Sequence, residues 1–172
     1  RYTYIEPSAG DGSFLEVLPS DRTIAVDIEP RHDSIIKADY LEWQPPEGND
    51  YIVFGNPPFG LRGHLALKFI NHSYDFADYV VFILPQLFES DGKGSPRKRL
   101  DNYNLIHSEK LNTMFHYPSG EEVRVNVVFQ IWSKHRTNKQ YEIKEYDNNL
   151  VTVYSLSNGN DHFVLKQVKE IG

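Results

Sequence analysis

Tyr51-Ile52-Val53-Phe54-Gly55-Asn56-Pro57-Pro58-Phe59 is an apolar run of strand length that closes in a rigid, polar turn. A short apolar stretch bounded by turn formers is the pattern of a buried strand. The two prolines stiffen the backbone just beyond it and remove two N–H donors, leaving carbonyl oxygens and the Asn56 side chain to face one cleft. A cleft rich in acceptors suits a planar amino group. Phe59 adds a ring on which a flat heterocycle can stack.

Upstream, the run Tyr2 to Ile5 leads into a second turn, Glu6-Pro7-Ser8-Ala9-Gly10-Asp11-Gly12. Gly10 and Gly12 let backbone approach a ligand closely, but Leu15 stands where a dinucleotide fingerprint has its third glycine. Glu6 and Asp11 would repel a pyrophosphate and attract a ligand carrying an ammonium and a sulfonium. These residues, with Ser8 in the same turn, favour S-adenosylmethionine over NAD. Asp27 closes the run Thr23 to Ile28, where nucleotide-binding α/β folds place a carboxylate on the ribose hydroxyls, and Glu29 is the alternative for that role. Asp39 follows the run Ser34 to Ala38 and either accepts the amino group of the donor's adenine or caps a turn. Tyr40 or Ile28 would flank the adenine ring.

Further apolar runs occur at Tyr79 to Leu84, Asn104 to Leu111 and Val125 to Trp132, and helical patterns at Ser13 to Leu18, His64 to Ser73 and Pro96 to Tyr103. Alternation of strand and helix implies an α/β fold with a doubly wound, mostly parallel, seven-stranded sheet. The link between Thr23 to Ile28 and Ser34 to Ala38 is too short for a good helix, so a single turn or irregular crossover is expected. Beyond Trp132 the segments Tyr141 to Tyr146, Val151 to Tyr154 and Phe163 to Val168 are separated by polar turns. They read as a small β-rich extension over 134–172, set apart from a catalytic domain over 1–133.

A chain of 172 residues, 40% apolar and 13% aromatic, can bury the core of one soluble domain. It has no cysteine, which excludes a disulfide framework, a thiolate metal site and a cysteine nucleophile. No stretch is long and apolar enough to span a membrane and the first residues do not resemble a secretory signal, so a cytoplasmic protein is expected. The start on a strand-like segment at Arg1 reads as a fragment of something longer. The His residues show no ligand spacing with acidic partners, so no metal is expected. A net charge of −6 disfavours tight, sequence-independent binding to a phosphate backbone. A nucleic-acid partner would need a local basic face, and Arg97-Lys98-Arg99 is the best candidate.

Glu6-Pro-Ser-Ala-Gly10-Asp-Gly12-Ser-Phe14, Ala25-Val-Asp27-Ile-Glu29-Pro30, Ala38-Asp39-Tyr40-Leu41 and Gly55-Asn56-Pro57-Pro58-Phe59-Gly60, in that order, resemble the amino-methyltransferases of DNA. The donor motif ahead of the catalytic motif is the gamma arrangement of adenine N6 methyltransferases. The resemblance spans 1 to about 133, with Val80 to Pro85 and Val125 to Trp132 matching later strands. It implies donor contacts by Glu6, Gly10, Asp27 and Asp39, and acceptor contacts by Asn56, Pro57, Pro58 and Phe59. It also implies an aromatic such as Phe129 supporting a flipped adenine. Two departures stand out. The helix that precedes the first strand in the family is absent from this sequence, and the part after Trp132 has no room for a large target-recognition domain. A separate recognition domain or subunit is therefore expected. Methylation of adenine in structured RNA and of a glutamine side-chain amide are the alternatives, whereas cytosine C5 methylation needs the thiolate this chain lacks.

Overall fold

The computed structural model describes residues 1–143 except 93, 101, 117 and 118, with the side chain of 116 also left aside, and the strand backbones of 151–155 and 163–168. Seven strands form the central sheet: β1 (Thr3–Glu6), β2 (Thr23–Asp27), β3 (Ile36–Lys37), β4 (Tyr51–Gly55), β5 (Ala77–Pro85), β6 (Asn104–Leu111) and β9 (Val127–Ser133). A hairpin of β7 (Met114–His116) and β8 (Glu122–Arg124) lies between β6 and β9 in sequence. The strand order is β3-β2-β1-β4-β5-β9-β6. Strands β1 to β5 pair in parallel, and β9 enters antiparallel to both β5 and β6. The order reverses between β1 and β4. Their carboxyl ends flank the crevice where open α/β sheets take ligands.

Helix α1 (His64–Ser73) has the boundaries expected from sequence, and buries Ala66, Leu67, Phe69, Ile70 and Ser73. That one-sided spacing packs a single stripe onto the sheet. Each of its large apolar side chains contributes roughly 1.5–3 kcal/mol of burial. The stripe meets Tyr51 and Val53 of β4 and Val80, Phe82 and Leu84 of β5 in the main core. Gln130, fully buried on β9, donates to the Phe88 carbonyl at 3.3 Å and accepts from Trp132 Nε1 at 3.2 Å.

The opposite face is covered differently. Ser13 to Leu18 was expected to be helical, but only a 3-10 turn forms, Ser13–Glu16. Gly12 at φ 84° sharpens its entry and Pro19 closes the segment, leaving too few residues for an α-helix. Phe14 from this turn meets Phe54 edge-on, with ring centroids 5.2 Å apart. Pro96 to Tyr103 likewise yields only the 3-10 turn Pro96–Arg99. The third strand shrinks from Ser34–Ala38 to two residues, paired as Val26↔Ile36 and Asp27↔Lys37. The link from β2 to β3 holds no helix, as its length required. Winding reverses across the sheet as expected, yet among the described residues only one crossover is an α-helix.

At the far end, β10 (Val151–Ser155) and β11 (Phe163–Val168) pair antiparallel. Of the expected strand Tyr141 to Tyr146, Tyr141 instead closes a 3-10 turn, Lys139–Tyr141, and residues 144–146 lie outside the described residues, as do the turns expected at 147–149 and 157–160. Among the described residues no helix is long and apolar enough to cross a membrane.

Candidate active site

Register places the two motifs side by side. Ile5 pairs with Val53, so Glu6 at the end of β1 falls beside Phe54 and Gly55 at the end of β4. A Cβ on Gly55 would sit 3.5 Å from both Glu6 Cγ and Pro7 Cδ. One residue further along each chain, Ser8 Oγ donates to the Asn56 carbonyl at 3.0 Å. The turn after β1 and the turn after β4 therefore share a wall.

Glu6 is 1% exposed. Burial pushes its carboxyl up to about 7, helped by the negative charges of Asp11 and Asp27. Asp11 itself is held below its ordinary value, first by its hydrogen bonds from Ser13. Among the described residues three buried side-chain atoms have no hydrogen-bond partner: Glu6 Oε2, Asn56 Oδ1 and Arg22 Nε. Such orphans are rare in folded proteins and call for a physical explanation. Two of the three belong to the adjoining motifs. Both are acceptors, one able to carry a negative charge and one neutral, as a cationic ligand beside an amine would require.

Asp27, expected on the ribose hydroxyls, has both carboxylate oxygens engaged by backbone N–H groups. Its Oδ2 accepts Gly10 N at 2.8 Å and its Oδ1 accepts Glu29 N at 2.7 Å. Gly10, at φ 55°, is held again by its carbonyl, which accepts Arg31 N at 2.9 Å. Asp39 Oδ1 accepts Leu41 N at 2.9 Å, so the turn-capping alternative is realised, and the residue also faces the cavity.

That cavity is continuous and about 660 Å³ in volume. It is lined by Pro7, Ser8, Asp27, Ile28 and Asp39 together with Asn56, Pro57, Pro58 and Phe59. Leu65 and Phe69 of the α1 stripe add apolar wall, and Phe115, Val123 and Val125 from the β7–β8 hairpin region complete it. Gly10 borders an adjoining cavity with Glu29, Arg31 and Lys37, while Gly12 lies against Leu15 and His32.

Three expectations need correction. Tyr40 contributes to the cavity wall but is 2% exposed, its ring stacked on Phe69 at 5.1 Å and its hydroxyl 2.8 Å from Ser73 Oγ. Burial raises the pKa of that hydroxyl, against the Ser73 hydrogen bond. It is a core residue, and Ile28, 63% exposed, is the side chain free to cover a ring. Phe129 on β9 faces His107, with ring centroids 6.1 Å apart, and does not line the cavity. The aromatic residue that does so from this part of the chain is Phe115. The two strands of the β7–β8 hairpin are three residues long, too short to leave an alternation signal in the sequence.

Arg97 is no free cation for phosphate. It is 7% exposed, with Nη1 on Asp91 Oδ1 at 2.8 Å and Glu89 O at 3.3 Å, and Nη2 bonded to the Tyr141 carbonyl. Lys98 and Arg99 are exposed, but neither lines the cavity, and Arg99 donates to the Gly94 carbonyl at 3.1 Å.

The sheet order, with one antiparallel strand between two parallel ones, and a crevice at the β1/β4 reversal define a Rossmann-like methyltransferase fold. No family model matches the chain, and no curated protein matches it significantly. Solved structures share the fold. A candidate RNA methyltransferase from Pyrococcus horikoshii superposes with a TM-score of 0.56 at 17% identity, covering 77% of this chain and 74% of its own. The 23S rRNA methyltransferase ErmE gives 0.53 at 13% identity, over 79% of this chain and 62% of its own. A modification subunit of a candidate type I restriction enzyme from Vibrio vulnificus YJ016 gives 0.52 at 14% identity, over 78% of this chain and 40% of its own. At such identities the likeness establishes the fold.

Proposed function

We propose that this chain is a methyltransferase that uses S-adenosylmethionine to methylate the exocyclic N6 amine of adenine in DNA, the target base being extruded into the cavity. The observation that carries the reading is the pair of unpartnered buried acceptors, Glu6 Oε2 and Asn56 Oδ1, on turns joined by the Ser8–Asn56 hydrogen bond. Glu6 would hold the ammonium of the donor, Asp27 its ribose hydroxyls, Asp39 its adenine amino group and Ile28 the face of its ring. The donor, when bound, supplies an electrophilic methyl group on a sulfonium.

The adenine amine is a poor nucleophile because its lone pair is delocalised into the ring. Asn56 Oδ1 and the Pro57 carbonyl would accept its two hydrogens at tetrahedral angles and so favour a pyramidal nitrogen, an effect that grows toward the transition state. Phe59 and Phe115 would grip the base, and the apolar wall would exclude water. Positioning supplies much of the acceleration, with no covalent enzyme intermediate. All residues that line the cavity fall between Pro7 and Val125, which supports a catalytic unit over 1–133 and an extension over 134–172. A target-recognition domain or subunit would supply sequence choice.

Structured RNA is the second reading. It is favoured by the RNA methyltransferases among the structures of similar fold. The test is to treat DNA and RNA with the protein and labelled donor and to identify modified nucleosides by mass spectrometry. N6-methyladenine in DNA supports the first reading and in RNA the second, whereas label in neither refutes both.

A further inference from the structure

The turn after the acceptor motif has a shape that amine methylation alone does not demand. Gly60, Arg62 and Gly63 take φ of 65°, 51° and 70°, and Arg62 is the only non-glycine residue with positive φ among those described. An L-residue enters that region at a steric cost and stays only where its surroundings impose it. Both roots of the turn are clamped. A Cβ on Gly60 would lie 2.7 Å from Leu65 Cβ, and one on Gly63 would lie 2.8 Å from the Phe88 ring. Gly63 N donates to the Gly60 carbonyl at 3.3 Å and Leu65 N to the Phe59 carbonyl at 3.1 Å. Between the clamps stands Leu61, 86% exposed, the most exposed large apolar side chain among the described residues. Beside it Arg62 is exposed, with no hydrogen bond or ion pair among the described residues.

A lone exposed leucine is ordinary surface. Leu61 differs in its position, two residues beyond Phe59 and so within about 7 Å of that residue along the backbone. It shares a rigid tip with an unpaired cation on a protein of net charge −6. A strand that gives up a base leaves a stacking face bare and brings phosphates close, and proteins meet these with apolar wedges and arginines. We propose that Leu61 and Arg62 form a preshaped finger that engages the nucleic-acid strand next to the target adenine. Leu61 lies against the bared face of the neighbouring base and Arg62 against the flanking phosphate. A loop already fixed in shape loses little further entropy on binding.

This inference rests on the nucleic-acid reading above, and the experiment separates the two. Wild type, Leu61→Ala, Arg62→Ala and Arg62→Lys are assayed with labelled S-adenosylmethionine on duplex DNA and on folded RNA, the two arms showing which strand the finger meets. Each alanine variant should raise the KM for the nucleic acid about tenfold, with kcat changed less than about twofold. Arg62→Lys should recover most of the loss, and calorimetric affinity for the donor should not move. Leu61 is in solvent, so an unchanged melting curve for Leu61→Ala shows that the loss is not one of folding. Unaltered KM in both alanine variants, on a substrate the wild type methylates, overturns the finger and leaves the methyl-transfer reading intact. Failure of the wild type to label any DNA or RNA overturns that reading and the finger with it.

Discussion

Ser8 Oγ hydrogen-bonds to the carbonyl oxygen of Asn56 at 3.0 Å, bridging the turn after β1 and the turn after β4. Neither motif alone distinguishes a ligand site from a tight strand ending. Joined in this way, they set a buried carboxylic acid and a buried amide oxygen, both unpartnered, on adjoining turns, with Asn56 lining the cavity and Glu6 lying behind Pro7 and Ser8, which do.

Asn56→Ala should lower kcat by a hundredfold or more, about the loss seen when one preorganised polar contact to a transition state is removed. Donor affinity should be retained. Asn56 Oδ1 has no partner in the folded protein, so no hydrogen bond is lost and stability should change by less than about 1 kcal/mol. Turnover, donor calorimetry and a denaturant melt on one preparation check all three, and unchanged turnover would remove Asn56 from the chemistry.

Asp27→Ala should behave differently, because that carboxylate holds Gly10 N and Glu29 N as well as facing the cavity. Donor affinity should fall at least about tenfold, and loss of two charge-assisted hydrogen bonds should cost roughly 2–5 kcal/mol of stability. Asp27→Asn, which keeps one acceptor oxygen, should fall between the two. Calorimetry and urea unfolding measure the two effects separately.

If Glu6 holds the donor's ammonium as proposed, stability and donor binding should depend on pH in opposite directions. The Glu6 carboxyl is raised from an ordinary value of 4.5 to about 7, so between those values the folded protein keeps a proton that the unfolded chain has released. This contribution to stability is complete below the unfolded value and is lost as pH rises through the folded one, a change on the order of 3 kcal/mol. A cationic ligand needs the carboxylate, so donor affinity should climb toward pH 7 and binding below it should release a proton. Melts from pH 4.5 to 8 and calorimetry in buffers of different ionisation heat read both effects. Glu6→Gln should flatten them, and parallel curves for the two proteins would rule out Glu6 as the cause.

Phe115→Ala should raise the KM for nucleic acid about tenfold by removing one stacking surface. Phe129→Ala, outside the cavity, should leave that KM alone and cost about 2 kcal/mol of stability through lost packing on β9. Equal KM effects in both variants would contradict the placement of the target base against the hairpin.

The sheet was legible because most of its strands are apolar runs bounded by turn residues, and α1 because Leu65, Leu67, Phe69 and Ile70 recur through it. The two turns were legible because Glu6 ends one such run and Gly55-Asn56 closes the other. What failed depended on parity and on distant partners. Val128, Gln130 and Trp132 are buried on β9, so Phe129 and Ile131 share the other face, and no local pattern says which face borders a ligand. Tyr40 follows Asp39 whether its ring turns outward or, as found, inward onto Phe69. Arg97 reads as one member of a basic triplet until Asp91 and the Tyr141 carbonyl, a residue 44 positions away, enclose it. The β7–β8 hairpin went unread because strands of three residues carry almost no alternation signal.

That hairpin hangs from the ends of β6 and β9, which are themselves paired from Asn104↔Ser133 through Leu111↔Val127. The strip bearing Phe115 and Val123 is thus appended to the scaffold and not woven through it. Substitutions there would leave the β1–β4 pairing beneath Glu6 and Asn56 in place, so on the proposed reading the choice of substrate could drift while the transfer chemistry stays put.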